Sequence, residues 1–234
     1  MMNSGNDMQQ DEMINDYLEF IGNAAFPCVA ARASLAHQHV KSFVAGNMLC
    51  PADDKHILDF IYQFVDDYRN QKTLYHSATV IFSGPDIISE EYFDEVFWRK
   101  LQSLSDLDAM NYAYDKRVSA DPSSPLFSFS LKEEAFFIIG LHPASSRVSR
   151  RFKYPAIVFN PHDQFQILRE QHHYEHMKQT VRHRDIKLSG SVNPMLDDYG
   201  SSSETLQYSG RRYDENWKCP LQIAHGKTKH NPTP

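Results

Sequence analysis

Residues 126–143, LFSFSLKEEAFFIIGLHP, decide the fold. Apolar residues alternate with serines up to Leu131, and a second apolar run covers 135–141, with charged residues between the two. Alternation with a period of two is typical of a strand, and a charged break between two such runs predicts a pair of strands around a turn. His142 and Pro143 follow the second run directly, so this strand should end at a histidine.

The neighbouring segments extend this pattern. The runs ATVIFSGP (78–85) and YPAIVFN (154–160) predict two further strands, each bounded by proline or glycine. Apolar residues at helical spacing predict helices over 11–22, about 28–45, 51 to about 70, 89 to about 104 and 162–184. Strands mixed with helices in this order predict an α/β or α+β fold, with a small central mixed sheet covered by helices. We expect a single domain over 11–225, with flexible termini at 1–10 and 226–234.

Composition excludes several classes of function. The formal net charge is -6, which gives no general attraction to nucleic acid or to anionic membranes. The first residues lack the basic and apolar regions of a secretory signal, and no apolar run is long enough to span a membrane, so we expect a cytoplasmic protein. Three cysteines, an odd number, do not predict a disulfide framework. Glycine-rich nucleotide loops and zinc-protease motifs are absent from the sequence.

Two histidines follow predicted strands. His142 ends the strand in GLHPASSR, and His162 follows the strand in FNPHDQF. Ligands of α/β proteins often bind at the carboxyl edge of the sheet, so two converging strand ends would place both imidazoles over one pocket. Each histidine alone is more often a capping or hydrogen-bonding group. His172 and His176 have a spacing that can chelate a metal, but their polar surroundings favour a solvated helix face.

Six stretches in order carry a resemblance to a known family. They are FPCVAARASL, GLHPASSR, RRFKYPAIVFNPHDQF, RDIKLSGSVNPML, QYSGR and WKCPL, within residues 26–221. Together they resemble the YqcI/YcgG family. That family includes haem-dependent enzymes that N-hydroxylate a guanidino group, such as the arginine N-hydroxylase of cycloserine biosynthesis and the N-hydroxylase of guanitoxin biosynthesis.

The resemblance implies a haem b monooxygenase that N-hydroxylates arginine or an arginine-like substrate with O2. The chain shows no sequence motif for a flavin, nicotinamide or iron–sulfur group, so a separate reductase or ferredoxin-like partner would supply the electrons. Haem iron needs an axial protein ligand, and His142, His162 and Cys219 are the candidates. Cys28 is a weaker fourth candidate, because FPCVAARASL is typical of the start of a well-packed helix. Histidine is favoured slightly, because a strand-end side chain is better fixed than one in an irregular C-terminal segment.

The resemblance also directs attention to charged residues. Arg147, Arg151 and Arg211 could bind the haem propionates as forked donors. Asp197, Asp198 and Glu204 could bind a guanidinium group, and Glu204 with Tyr208 would act at the reacting end of the substrate. Two alternatives stay open: a haem-binding or haem-sensing protein without turnover, and a non-haem metal protein that uses His142, His162 and a carboxylate.

Overall fold

The computed structural model describes residues 4–71, 73–171, 174–191 and 200–225. These residues form a five-stranded mixed sheet in the order β1-β2-β5-β4-β3. Strands β1 and β2 are parallel, and the other neighbours are antiparallel. The strands are β1 (Val40–Asn47), β2 (Ser77–Gly84), β3 (Phe129–Leu131), β4 (Glu134–Leu141) and β5 (Ala156–Pro161). The predicted class, a single α+β domain around a small mixed sheet, is confirmed.

Helices cover both faces of the sheet. The α-helices are α1 (Ser4–Gly22), α2 (Val29–Ala36), α3 (Asp54–Gln71), α4 (Glu90–Asp108), α5 (His162–Glu170), α6 (Tyr174–Ser189) and α7 (Thr205–Tyr208). Helices α3 and α4 bury their apolar stripes against one face, which we call the core face. Helix α1 packs on the opposite face. The helical spacing of α3 and α4 therefore predicted correctly which side chains are buried.

The hairpin β3–β4 turns through two residues, Lys132 and Glu133, that have positive φ angles of 51° and 56°. Positive φ at both central positions suits the right-handed twist of the strands, although it is usually provided by Asn or Gly. Arg69 of α3 donates hydrogen bonds of 2.9 Å to both carbonyl oxygens of these residues. Helix α3 thus stabilises a turn whose two central residues, Lys132 and Glu133, do not favour positive φ angles.

The first strand differs from the sequence prediction. Helix α2 ends at Ala36, and the chain enters β1 at Val40, whereas a helix was predicted to about residue 45. Val40 and Val44 pack towards α1, while Phe43 and Ala45 pack on the core face. The helix prediction is wrong here because parallel pairing with β2, a long-range contact, decides the structure of this short segment.

An ion pair is buried where α3 and α4 meet. Lys100 donates to a carboxylate oxygen of Asp54 and to the carbonyl oxygen of Cys50, and Ser103 also donates to Asp54. The side chains of Lys100 and Asp54 are 3% and 1% exposed. A buried charge without its partner is costly, so this pair fixes how α3 and α4 approach each other.

His142 also lies in the core. Its ring is 1% exposed and stacks on Phe93 of α4 at a centroid distance of 4.1 Å. Burial, and to a lesser degree the charge of Arg150, lowers the pKa of His142 from 6.5 to about 4. The imidazole is therefore neutral in the folded protein at physiological pH.

We predict that Lys100→Met destabilises the protein by about 3–5 kcal/mol, because the carboxylate of Asp54 remains buried without a partner. Urea denaturation measures the change. Glu95→Gln in the same helix is the control: it breaks an exposed pair with Arg99, in which both side chains are more than half exposed, and should cost less than about 1 kcal/mol. Equal losses for the two variants would contradict a structural role for the buried pair.

We also predict that the protein loses stability as the pH falls from about 6.5 towards about 4. The unfolded chain binds a proton at His142 in this range and the folded chain does not, so the free energy of unfolding decreases with falling pH. His142→Phe keeps a ring against Phe93 and should make this dependence shallower. His56→Gln, at an exposed histidine, should leave it unchanged. Urea midpoints across this pH range test both expectations.

Candidate functional site

A cavity of about 250 Å³ opens on the face of the sheet opposite the core face. Its floor consists of side chains from β4 and β5, among them Phe137, Ile139, Leu141 and Val158. These residues alternate with the core-face residues because successive side chains of a strand point to opposite faces. The walls come from α1, α2, α5, α6 and the segment 202–207.

The walls at α5 and α6 combine apolar and cationic side chains. Phe165, Tyr174, Met177 and Val181 provide apolar surface, as their helical spacing predicted. Arg169 and Lys178 line the same wall, and their charged groups lie 4.4 Å and 5.8 Å from the ring centroid of Tyr174. The cavity therefore presents an apolar interior together with cations that an anionic group can reach.

His162 is the first residue of α5, directly after β5, and lines the cavity. It is 6% exposed. Its Nδ1 atom lies 3.2 Å from Ser128 Oγ and 3.6 Å from Glu204 Oε1. Burial, followed by the charges of Arg169 and Arg117, lowers the pKa of His162 to about 4. The ring is therefore neutral at neutral pH, and one of its two nitrogens carries the proton.

Glu204 lines the cavity immediately before α7 and is 5% exposed. Its Oε2 atom lies 3.1 Å from both Ser128 Oγ and Tyr208 Oη. Burial raises the pKa of Glu204 to about 8, against the opposing effect of these hydrogen bonds. The carboxyl group is therefore mainly protonated at neutral pH. Tyr208 is fully buried and does not line the cavity itself.

Arginines from the segment after β4 surround another part of the cavity. Arg147 pairs with Asp185 of α6, which also accepts a hydrogen bond from Ser149. Arg150 is buried and donates to the carbonyl oxygens of Gly140, Gln207 and Tyr208. Burial lowers the pKa of Arg150 to about 10, so it stays charged. Arg147 and Arg150 both line the cavity.

The two strand-end histidines do not meet. Strands β4 and β5 are antiparallel, with Leu141 opposite Ala156 and Phe136 opposite Pro161, so their carboxyl ends lie at opposite ends of the sheet. His142 also points to the core face, where it stacks on Phe93. The expectation of two imidazoles over one pocket is therefore wrong, and so is an iron site that uses both.

Cys219 also lies away from the cavity wall. It packs beside the core-face cluster. Burial raises the pKa of Cys219 to about 12, so its sulfur is a thiol and not a thiolate. Cys28, in contrast, lines the cavity at the start of α2 and accepts a hydrogen bond from Ala31 N–H.

The other predicted residues have separate positions. Arg151 donates to the carbonyl oxygens of Ser145 and Ser146, and neither it nor Arg211 lines the cavity. Arg211 forms ion pairs with Glu91 and Asp94 of α4. Asp197 and Asp198, the predicted substrate carboxylates, lie outside the described residues, as does His172. His176 is exposed on α6, in agreement with a solvated face.

The sequence interpretation missed Ser128, Arg169, Lys178 and Asp185. Ser128 belongs to the alternating pattern before β3, and only the tertiary fold brings it to His162. Arg169, Lys178 and Asp185 lie on the same helical faces as the apolar residues Phe165, Met177 and Val181. That spacing was a usable signal, because charged residues on an apolar helix face must meet a partner or a cavity.

Two absences apply to the described part of the chain. There, no three side chains of His, Cys, Asp or Glu are grouped so as to hold a metal ion. No helix in the same ranges has the length and apolar character needed to cross a bilayer. The cavity has one imidazole, that of His162, next to the carboxyl group of Glu204, with the thiol of Cys28, apolar walls and arginines around it. It suits a flat, largely apolar cofactor with acidic substituents and one axial ligand.

Comparisons with known proteins agree with the resemblance seen in the sequence. The sequence model of the YqcI/YcgG family matches residues 17–222. The uncharacterized protein YcgG of Bacillus subtilis (strain 168) is 26% identical over 215 residues, which cover 87% of this chain and 84% of that protein. No solved structure gives a significant match. The family match includes β1 to β5 and the residues 202–207 at the cavity, and the chain belongs to the YqcI/YcgG family.

Proposed function

We propose that this protein is a haem-dependent monooxygenase that N-hydroxylates the guanidino group of arginine or an arginine-like compound. The observation that carries the proposal is the position of His162, a buried neutral imidazole in the wall of a largely apolar cavity. Its Nδ1 atom faces Ser128 and Glu204, as is common for a histidine that binds a metal through the other nitrogen. Haem, when bound, would supply an iron centre that activates O2.

Cationic side chains support an anionic cofactor. Arg150 is a buried cation whose described hydrogen bonds go to backbone carbonyl oxygens, which leave its positive charge uncompensated by a bonded carboxylate. Arg169 and Lys178 line the same cavity. Arg147 is largely neutralised by Asp185. We therefore assign propionate binding mainly to Arg150 and Arg169, because Lys178 pairs with Glu175 and Arg147 pairs with Asp185.

Glu204 would receive the substrate cation. It is the one predicted substrate carboxylate within the described residues, and it lines the cavity. Its raised pKa means that it must lose a proton to pair with a guanidinium group, and the incoming cation would favour that loss. Hydroxylation places one oxygen atom of O2 on nitrogen and the other in water. It consumes two electrons and two protons, and the electrons would come from a reductase or ferredoxin-like partner.

We predict that the purified protein binds one haem b and that His162→Ala removes it. Cys219→Ala and His142→Phe should both keep it, because neither residue lines the cavity. The pyridine haemochrome gives the haem content. The reduced carbon monoxide complex should show the Soret band of imidazole-ligated haem and not that of thiolate-ligated haem. Circular dichroism confirms that the variants fold, and added imidazole should restore haem binding to His162→Ala.

Other outcomes would select the alternatives. A thiolate-type spectrum lost in Cys219→Ala would move the ligand to that residue. Retention of haem without O2-dependent consumption of a guanidino compound, with reductant present, would favour a haem-binding or haem-sensing protein. A protein that stays colourless after addition of haemin would overturn the proposal.

We predict that arginine binds more tightly as the pH rises through about 8, since the carboxyl group of Glu204 ionises there. Glu204→Gln should lower the affinity by about tenfold or more above this pH, as expected for loss of a charge-assisted pair, and should remove the pH dependence. Titration calorimetry in buffers of different ionisation enthalpy should also detect proton release on binding at neutral pH. Glu170→Gln, at an exposed residue of α5, is the control and should bind like the wild type. Equal affinity in Glu204→Gln would place the guanidinium group elsewhere.

A further inference from the structure

His162 and Glu204, which line the cavity, form a compact set of contacts with Ser128 and Tyr208. The backbone of the β3–β4 hairpin completes this set through the carbonyl oxygen of Phe136 and the N–H of Phe129. Ser128 Oγ lies 3.1 Å from the Phe136 oxygen, 3.1 Å from Glu204 Oε2 and 3.2 Å from His162 Nδ1. Each of these contacts needs one proton between its two atoms.

Tyr208 adds three contacts to the set. Its Oη atom accepts a hydrogen bond from Phe129 N–H at 3.2 Å and lies 3.1 Å from Glu204 Oε2. It also lies 3.3 Å from the Phe136 oxygen. Ser128 and Tyr208 each carry a single hydroxyl proton, and a carbonyl oxygen can only accept. The number of protons therefore restricts which contacts can be hydrogen bonds at the same time.

One arrangement of the protons makes every contact a hydrogen bond except the longest contact between two oxygen atoms. Ser128 donates to the Phe136 oxygen and Tyr208 donates to Glu204 Oε2. Ser128 then accepts from a protonated Oε2 of Glu204 and from Nδ1–H of His162. Only the 3.3 Å contact between Tyr208 and Phe136 lacks a proton. This arrangement places one proton between Glu204 Oε2 and Ser128 Oγ.

The other arrangements satisfy fewer contacts. If Ser128 donates to Nδ1, its 3.1 Å contact with the Phe136 oxygen has no proton. Protonated Glu204 then donates to Ser128 and Tyr208 donates to Phe136, so the 3.1 Å contact of Tyr208 with Glu204 has none either. If Glu204 is ionised, the single proton of Ser128 leaves either its contact with Glu204 or its contact with the Phe136 oxygen without a proton, while Nδ1–H of His162 still donates to Ser128 Oγ. Two buried oxygen atoms in contact without a proton between them are unfavourable, so the first arrangement is preferred.

Charged groups around His162 do not alter this preference. Arg169 and Arg117 oppose protonation of its ring, while Asp163 and Asp115 favour it. Arg117 is itself bonded to Asp115 and Glu134. Glu204 faces Arg169 besides its two hydroxyl partners, and Tyr114 lies near enough to sense its charge. The ring stays neutral, so one of its two nitrogens carries a proton and the other has a lone pair.

We propose that Ser128 and Glu204 are positioning residues that hold His162 as the tautomer with its proton on Nδ1, which places the lone pair on Nε2. The use of Nε2 as a haem ligand rests on the proposed function, whereas the tautomer does not. A fixed Nδ1–H donor bound to an acceptor orients the ring and makes the other nitrogen a better ligand. Ser128 therefore acts on the ligand through His162, without contact with the cofactor.

The experiment is long-range 1H–15N correlation NMR on the haem-free protein with 15N-labelled histidine, near neutral pH. The expected result for His162 is a protonated Nδ1 and an unprotonated Nε2. Ser128→Ala removes the acceptor and should shift the tautomer ratio towards Nε2–H by about fivefold, which corresponds to one neutral hydrogen bond. Ser128→Thr restores the hydroxyl group and should return the ratio to that of the wild type. Glu204→Gln should also keep it, because the amide can donate to Ser128 as a protonated carboxyl group does.

The possible results separate the two proposals. A wild-type His162 with its proton on Nε2, or a doubly protonated ring, would overturn the inference, as would an unchanged ratio in Ser128→Ala. If Ser128→Ala does not fold, the wild-type spectrum alone still decides the tautomer. Haem titration is the second readout: absence of haem binding together with the Nδ1–H tautomer would reject the proposed function and keep the inference. Haem binding together with the Nε2–H tautomer would reject the inference and keep the proposed function.

Discussion

The antiparallel pairing of β4 with β5 determines which side chains of the central sheet face the core and which face the cavity. Its register places Phe137 opposite Asn160 and Ile139 opposite Val158, and these side chains form the cavity floor. The alternate residues Phe136, Ile138 and Phe159 enter the core beneath α3 and α4. A shift of one residue would exchange the two sets, so the pairing fixes both the core and the cavity. It also directs the end of β5, and with it His162, towards the hairpin strand β3.

Much of the fold could be predicted from the sequence because its strongest signals are local. The stripes of α3 and α4, the charged turn at Lys132 and the apolar run of β5 each contain their own periodicity. The strand β1 has a weaker pattern and lies between a helix and a turn, so its parallel partner β2 decides its conformation. Helix α1 also begins at Ser4, earlier than its apolar spacing indicated. Where the local periodicity is weak, pairing and packing with residues distant in the sequence determine the secondary structure.

The candidate site was predictable only in part, for a related reason. His162, Glu204 and Arg147 lie at the cavity as their motifs suggested, while His142 and Cys219 do not. A strand-end histidine is visible in the sequence, but whether two strand ends share an edge depends on strand direction. That direction is set by the connection between β4 and β5, which turns back through the short helix Val148–Arg150 instead of crossing over the sheet. Ser128 reaches His162 for the same reason, across 34 residues of chain.

Burial then determines the chemistry that the cavity can perform. His162 and Glu204 are adjacent and both neutral at physiological pH, because neither can be solvated in its charged form. If the proton of Glu204 moved to His162, the resulting ion pair would contain the same number of protons. Glu204 would then no longer donate a hydrogen bond to Ser128. The described hydrogen bonds of Arg150 go to backbone carbonyl oxygens, so its positive charge remains in the cavity wall. Under the proposed function, an anionic cofactor would offset this positive charge, and Glu204 would lose its proton when a cationic substrate binds.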